Sequence, residues 1–510
     1  MLATIITGTI SGINGLLVEV ETDIAPGLPT FSTVGLAEGA VREAKDRVKS
    51  AIRNSGYSFP NRRITVNLAP ADLKKVGSGY DLPMALGILS ASEILTSDIL
   101  AKYATIGELS LDGTVRDVPG ILPMVMAARD GGLEGVIVPR KNVQEAAVVA
   151  GLKVIGVKSL YEAVEFLAGK REITPAIASH RSDEQPKLDY ESDFSEVKGQ
   201  EQVKRALEIA AAGNHNILLK GPPGSGKTML ARRIPTILPG LTFEEALETT
   251  RIYSVVGLLP SGKSLLEDRP FRAPHHTISD AGLVGGGQIP KPGEVTLAHN
   301  GVLFLDEFPE FRKNVLEVMR QPMEDSNVTI ARAAVSLKFP ASFLLVAAMN
   351  PCPCGYLGDP GHECICNSMQ VQRYNSRLSA PLLDRIDIHV EVPAVPYKEI
   401  SSARKPEASA TIRARVAQVR QIQEKRFNGR KTACVNSRMT PADLDKHCQL
   451  NDEANSLLES AATTLAMSAR SCHRVLKISR TIADLDGKPD IQTKHVAEAI
   501  QYQRSAPRTS

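Results

Sequence analysis

Gly221-Pro222-Pro223-Gly224-Ser225-Gly226-Lys227-Thr228 follows an apolar run, Asn216–Lys220, and leads into a helical pattern. A Gly-rich turn between a strand and a helix lets backbone N–H groups approach phosphate oxygens, and the helix dipole adds its positive end. Lys227 is then expected to reach the β- and γ-phosphates of a nucleotide, and the Thr228 hydroxyl to bind Mg²⁺. Downstream, Gly301-Val-Leu-Phe-Leu-Asp306-Glu307 reads as a buried strand ending in two carboxylates. Asp306 is expected to act on the Mg²⁺ shell, and Glu307 to orient or deprotonate an attacking water. A third apolar run, Phe343–Met349, ends in Asn350, whose amide is placed to sense the γ-phosphate. The chemistry that these residues support together is ATP hydrolysis.

The rest of the chain fits a large α/β protein. Its 510 residues are 43% hydrophobic and 23% charged, enough for about three domains with ordinary cores. Sixty Lys+Arg against 57 Asp+Glu leave a net charge of +3, so any nucleic-acid contact must come from local patches. Trp is absent and aromatics make up 4%, which argues against broad base-stacking platforms. The longest apolar stretches, Ile121–Ala128 and Phe343–Met349, are too short to span a bilayer, and MLATIITGTISG has no basic n-region. A cytoplasmic location without a membrane partner is the expectation.

Residues 1–170 alternate short strands (Ile64–Leu68, Gly135–Val138, Lys153–Val157) with helices such as Val41–Asn54 and Val143–Ala150. Residues 171–193 carry two prolines and clustered charge and read as a linker. Residues 194–395 hold the phosphate site, with a Cys-rich loop at 351–367, and 396–510 are a basic helix and a helical lid. In that last region Asn451–Leu465, Ala469–Leu485 and Thr493–Gln503 are the candidate helices.

Four of the seven cysteines, Cys352, Cys354, Cys364 and Cys366, fall within fifteen residues. Thiolates crowded in a Gly/Pro loop point to a structural zinc site rather than a disulfide framework, with His362 nearby. Cys434, Cys448 and Cys472 read as ordinary helix or core residues. Two runs are basic. Arg42–Lys75 holds nine Lys/Arg against three acids, and Thr411–Lys431 holds seven against Glu424 alone. In the second, Ile412, Val416, Val419 and Ile422 recur at helical spacing, giving one apolar and one basic face. A solvated helix face is the plain alternative; a polyanion track is the functional one.

Val197-Lys-Gly-Gln200, the phosphate loop, Asp306-Glu307, Asn350 and Leu382-Leu-Asp-Arg-Ile-Asp387 together resemble a AAA+ module. Arg272-Ala-Pro-His-His-Thr277, Asn350-Pro-Cys-Pro-Cys-Gly355 and Ser468-Ala-Arg-Ser-Cys-His-Arg474 narrow the resemblance to the magnesium-chelatase-like branch and its YifB/ComM family. The resemblance covers essentially the whole chain. It implies a homo-hexameric ring with nucleotide bound between neighbours, Arg385 as arginine finger (Arg377 a competitor) and Arg470 as the sensor-2 arginine of the lid. It also places insertions at Asp280–Asn300, a loop within an early helix, and at Val328–Pro340, a hairpin carrying Arg332 and Lys338. Such hairpins face DNA in related rings.

Ile64–Leu89 and Gly107–Ala128 resemble the Lon-protease-type domain, of ribosomal-protein-like fold. There Gly79 falls near the serine slot, with Ser78 one residue off, and Leu122 where the lysine belongs. The resemblance implies a proteolytically dead scaffold, with a shifted Ser78–Lys74 or Ser78–Lys75 dyad as its competitor. The function implied is a DNA branch-migration helicase in homologous recombination and natural transformation, with ATP and Mg²⁺ as cofactors and DNA and recombination proteins as partners. The rivals are a chelatase-type motor remodelling a protein and an ATP-dependent protease. The chelatase reading is weakened on the ground that a chelatase subunit lacks the N-terminal domain.

Overall fold

A parallel strand buried on both faces must be apolar throughout, and Val302–Leu305 and Leu344–Met349 are buried at every position. A computed structural model describes residues 1–36, 39–75, 77–95, 97–176, 192–260, 262–287, 290–332, 335–400, 406–427 and 435–504. It divides into one unit of residues 1–185 and 243–266 and a second of 186–242 and 267–510. The chain is mixed α/β, and among the described residues no helix is long and apolar enough to cross a membrane.

In the second unit five parallel strands lie in the order Phe271–Arg272, Val302–Leu305, Leu344–Met349, Ile217–Lys220, Ile388–Glu391. Leu344–Met349 thus separates the strand leading to the phosphate loop from the strand ending in Asp306 and Glu307. Loops leaving the carboxyl ends of these three neighbours converge on one edge, where open α/β sheets take ligands. The helices Ser409–Arg426, Asp452–Thr464, Ala469–Leu485 and Thr493–Arg504 follow. Val416, Val419, Val475 and Ile478 belong to the same hydrophobic core as Ile217, Leu219 and Val346. The helical segment therefore has no separate core: sheet and helices are buried as one.

The first unit is a seven-stranded mixed sheet in the order Thr30–Val34, Arg63–Ala69, Asn14–Ala25, Leu2–Ser11, Tyr103–Thr105, Gly135–Pro139, Lys153–Val157. Side chains alternate faces along a strand, so Ile137 and Ile155 enter one core while Val136, Val138 and Val154 enter the other. Helices Gly39–Asn54, Asp81–Ala91 and Leu160–Leu167 cover the first face and Ile121–Asp130 the second. The hairpin of Leu2–Ser11 and Asn14–Ala25, the longest in the unit, was not expected from sequence. Val143–Ala150 is not one helix; Val143–Ala146 makes a single turn after a 3₁₀ turn at Arg140–Asn142.

Residues 243–266 lie within the range assigned to the phosphate-site domain, yet they cluster with the first unit. Their helix, Phe243–Val255, donates the Ser254 hydroxyl to the buried Glu145 carboxylate at 2.5 Å and the Arg251 guanidinium to Asn14 Oδ1 at 2.5 Å. Burial raises the Glu145 carboxyl above its ordinary range. Residues 177–191 of the expected linker lie outside the described residues.

Arg47 does not serve the basic run in which it lies. Its guanidinium grips the fully buried Asp81 carboxylate through Nε at 2.7 Å and Nη2 at 3.0 Å. Burial raises the Asp81 carboxyl, and the Arg47 bonds oppose that shift. Arg47→Ala strands a buried charge, for which about 3–5 kcal/mol is the expected cost. A denaturant titration of the full chain then shows an earlier first transition, and an unmoved transition contradicts the pairing.

Candidate nucleotide site

The phosphate loop needs a backbone that only glycine adopts readily, and Gly224 and Gly226 have φ of 74° and 87°. From Gly226 the helix Lys227–Ile237 begins, so its free N–H groups face the loop's concavity. Lys227 is 8% exposed, and its Nζ donates to Gly221 O and Pro222 O at 2.8 Å each and to Asn350 Oδ1 at 3.2 Å. Burial lowers its pKa, with Asp306 opposing. The Ser225 hydroxyl is buried without a hydrogen-bond partner. The Gln200 amide ties the loop from outside, donating to Ser225 O at 2.9 Å and Pro393 O at 2.8 Å.

Thr228 Oγ1 donates to Asp306 Oδ2 at 2.7 Å, so hydroxyl and carboxylate already share the point where a hard cation would sit. Glu307 stands just past the strand at φ 51°, its backbone N–H donating to Asp306 Oδ1 at 2.9 Å. Its side chain is 56% exposed, and Oε2 lies 3.0 Å from His276 Nδ1. His276 comes from the Arg272–Thr277 segment; its ring packs against His275 with centroids 4.1 Å apart. Arg272 anchors that segment on Glu294 by paired bonds of 2.6 and 2.7 Å. The motif was legible in the sequence; its contact with Glu307 was not, because the two are brought together only by neighbouring strands.

Arg385 and Arg470 meet at one carboxylate. Arg385 Nη2 lies 2.7 Å and Arg470 Nη2 2.5 Å from Glu324 Oε1, and the two cations hold that carboxyl below its ordinary range, Arg385 foremost. The Arg385 side chain is 10% exposed, with a buried Nε lacking a partner. Glu324 had no sequence signal, since nothing in its local pattern marks it. Arg377 instead pairs with Glu310 at 2.6 Å.

The four clustered thiols converge as well. Cys352 Sγ lies 3.3 Å from Cys354 Sγ and 3.7 Å from Cys364 Sγ, and Cys354 and Cys364 are 3.6 Å apart. Cys366 completes the group, all four sulfurs lying within 4.8 Å of one another. His362 is not among them; its Nδ1 lies 2.8 Å from Asp359 Oδ2 and its ring stacks on Tyr356. Cys448 is buried and Cys472 partly so, and Cys434 lies outside the described residues.

The second basic run is largely engaged within its own unit. Arg415 Nε bonds Glu208 at 2.6 Å, Arg420 Nη2 bonds Ala211 O at 2.7 Å, and Arg426 grips Asp484 at 2.6 and 2.7 Å. Ile412, Val416 and Val419 are buried as expected, but Ile422 is 41% exposed and Gln423 takes the buried position. Arg430 and Lys431 lie outside the described residues. In the first run Lys75 is fully buried and bonds Pro70 O. Desolvation explains these pairings: a guanidinium at a helix–helix contact must find an acceptor.

Residues Asp280–Asn300 are not a loop within one helix. Two short helices, Asp280–Leu283 and Glu294–Leu297, flank a small hairpin of Gly285–Gly286 and Lys291–Pro292. The second insertion is the expected hairpin, Asn327–Arg332 against Val335–Pro340, with Lys338 exposed; the Arg332 side chain lies outside the description. In the first unit Ser78 Oγ bonds the Glu108 carboxylate rather than a lysine, and Leu122 is buried. Neither Ser78 nor Lys75 is placed as a Ser–Lys dyad requires.

Comparison with known proteins agrees with this architecture. Residues 193–400 match the family described as magnesium chelatase, subunit ChlI; 20–142 match subunit ChlI of Mg-chelatase; and 406–503 match its C-terminal part. The chain is 43% identical over 506 residues to competence protein ComM of Haemophilus influenzae, covering 98% of this chain and 97% of that one. It is 44% identical over 495 residues to YifB of Escherichia coli, covering 96% and 95%. A shorter match, 32% over 157 residues, is to Lon protease 2 of Bacillus subtilis, covering 28% of this chain and 27% of that one. The Thr228–Asp306 pair and the buried, unpartnered Ser225 hydroxyl fit a Mg²⁺-nucleotide, and the family implies ATP, Mg²⁺ and ATPase activity. The chain belongs to the magnesium-chelatase-like AAA+ family, in the branch that includes ComM and YifB.

Proposed function

We propose that the chain is a ring-forming ATPase that drives movement on branched or duplex DNA, in the manner of a branch-migration helicase serving recombination and natural transformation. The observation that carries the ATPase part is the convergence of Lys227, Thr228, Asp306, Glu307 and Asn350 at the carboxyl ends of three neighbouring strands. The DNA part is supported by near full-length similarity to a competence protein and by the hairpin at residues 327–340.

The loop from Gly221 to Gly226 cradles phosphate oxygens with its N–H groups while Lys227 neutralises the terminal phosphates. Thr228 and Asp306 would hold Mg²⁺, which when bound would supply charge neutralisation to the nucleotide's phosphates. Glu307 takes a proton from the attacking water, and Asn350 donates to the γ-phosphate. A recess of 340 Å³ beside Gln200, lined by Val203, Pro393 and Val395 together with Glu201, Glu391 and Glu399, is the place we assign to the nucleotide's base, whose ring would meet the apolar side chains and whose amino group the acidic ones. In a hexamer Arg385 reaches the neighbour's nucleotide and Arg470 the one in its own chain, each leaving Glu324 to do so.

A second reading, a chelatase-type motor that remodels a protein partner, is favoured by the internal pairing of Arg47, Arg415, Arg420 and Arg426. Steady-state ATPase rates without DNA and with single-stranded, duplex and four-way-junction DNA, at two salt concentrations, separate the two. The expected result is stimulation that is strongest on the junction and falls as salt rises. Equal rates under all four conditions favour the protein-remodelling motor.

A further inference from the structure

The loop at 351–367 contains no helix or strand among its described residues and buries almost nothing apolar of its own: Leu357 is 44% and Ile365 86% exposed. Pro351, Cys352 and Gly355, where the loop leaves the strand, are the buried exceptions. Such a segment cannot offset its own ordering entropy by hydrophobic burial. Yet the loop brings four sulfurs together, three of them in mutual contact at 3.3, 3.6 and 3.7 Å. Those separations are too long for S–S bonds. A tetrahedral zinc with Zn–S bonds of about 2.3 Å requires sulfur–sulfur edges of about 3.8 Å. The arrangement matches a single ion and is too tight to enclose a multi-iron cluster.

The position of this cluster matters more than its existence. Asn350, which accepts from Lys227 at 3.2 Å, is two residues before Cys352. Gly355, directly after Cys354, has φ 90°, and a Cβ there would lie 2.6 Å from Pro223 Cδ in the phosphate loop. The thiol loop therefore continues the strand that ends in Asn350 and lies against the phosphate loop itself. We propose that Cys352, Cys354, Cys364 and Cys366 hold one zinc ion whose binding fixes the Asn350 amide and the Pro223 side of the phosphate loop, so that nucleotide affinity depends on the metal. Binding converts four thiols to thiolates and releases their protons, with no change of oxidation state. The zinc acts as a brace and takes no part in hydrolysis.

The inference rests on the reading of Gly221–Thr228 as the nucleotide site but not on what the motor acts on. Purified full-length protein, kept reduced, is analysed for zinc and iron and titrated with a fluorescent ATP analogue. The same is done after mercurial displacement and dialysis, after zinc is restored, and with Cys364→Ser. The expected result is about one zinc per chain, and affinity that falls about tenfold or more on removal and returns with zinc. If Cys364→Ser does not fold, the reversible removal and return of zinc in the wild type decides the matter; Gly355→Ala, which strains a φ of 90° and meets Pro223, is expected to bind the analogue more weakly and, if it binds as the wild type does, contradicts the contact between the thiol loop and the phosphate loop. Folded protein that takes up no zinc, or that holds iron with sulfide, overturns the metal assignment. Reversible zinc loss with unchanged affinity overturns the brace. Zinc-loaded wild type that binds no nucleotide overturns the nucleotide-site reading and the brace with it.

Discussion

Glu307→Gln is expected to bind ATP as the wild type does and to hydrolyse it about 10² to 10⁴ times more slowly. The amide is isosteric with the carboxylate and can keep the contact with His276, whose Nδ1 stands 3.0 Å away. It leaves Lys227, Thr228 and Asp306 untouched, so the groups expected to bind phosphate and Mg²⁺ remain. What it removes is the acceptor for the proton of the attacking water. Single-turnover hydrolysis alongside nucleotide retention separates the two effects. Wild-type turnover in the variant removes Glu307 from the water-activating role and leaves the rest of the site standing.

Lys227→Ala has the opposite signature: binding itself is lost. A buried ammonium facing phosphates contributes about 3 kcal/mol or more, so affinity falls by roughly a hundredfold or beyond. The side chain also bonds two loop carbonyls at 2.8 Å each, so part of the loss comes from a loosened loop. Lys227→Met separates these contributions. It fills the stem's volume without donating, and it is expected to restore thermal stability without restoring affinity. Isothermal titration with ATP and Mg²⁺ provides the measurement, and unchanged affinity in either variant contradicts a phosphate-binding role for this lysine.

Much of the site was legible because its chemistry is local. The turn from Gly221 to Thr228, the strand that ends in Asp306 and Glu307, and the strand that ends in Asn350 are each recognisable within eight residues. Strand and helix boundaries in the second unit fall within one residue of expectation: Ile217–Lys220 against Asn216–Lys220, Asp452–Thr464 against Asn451–Leu465, and Ala469–Leu485 unchanged. Period and caps carry that information in the chain itself. The four thiols were also legible as a group, since their spacing lies within one loop.

Charge was the least legible feature. A count of Lys and Arg along a segment cannot say which of them meet a carboxylate from elsewhere in the fold. Arg415 finds Glu208 207 residues away, Arg47 finds Asp81, and Arg426 finds Asp484. Each pairing is forced by burial, and burial is a property of packing. The same holds for residues 243–266, which extend the chain's first unit although they follow the phosphate loop in sequence.

Short-range backbone geometry and residue type are enough to specify the strand–loop–helix of the phosphate site, the carboxylate pair and the thiol spacing, so these could be read from the chain alone. Packing, by contrast, brings Arg385 and Arg470 to Glu324, His276 to Glu307, and Gly355 against Pro223. Those four contacts join residues 61, 146, 31 and 132 positions apart, so they exist only once the sheet has set its strand order. Local propensity acts over a few residues, whereas side chains that meet across strands are chosen by the packing of the whole core.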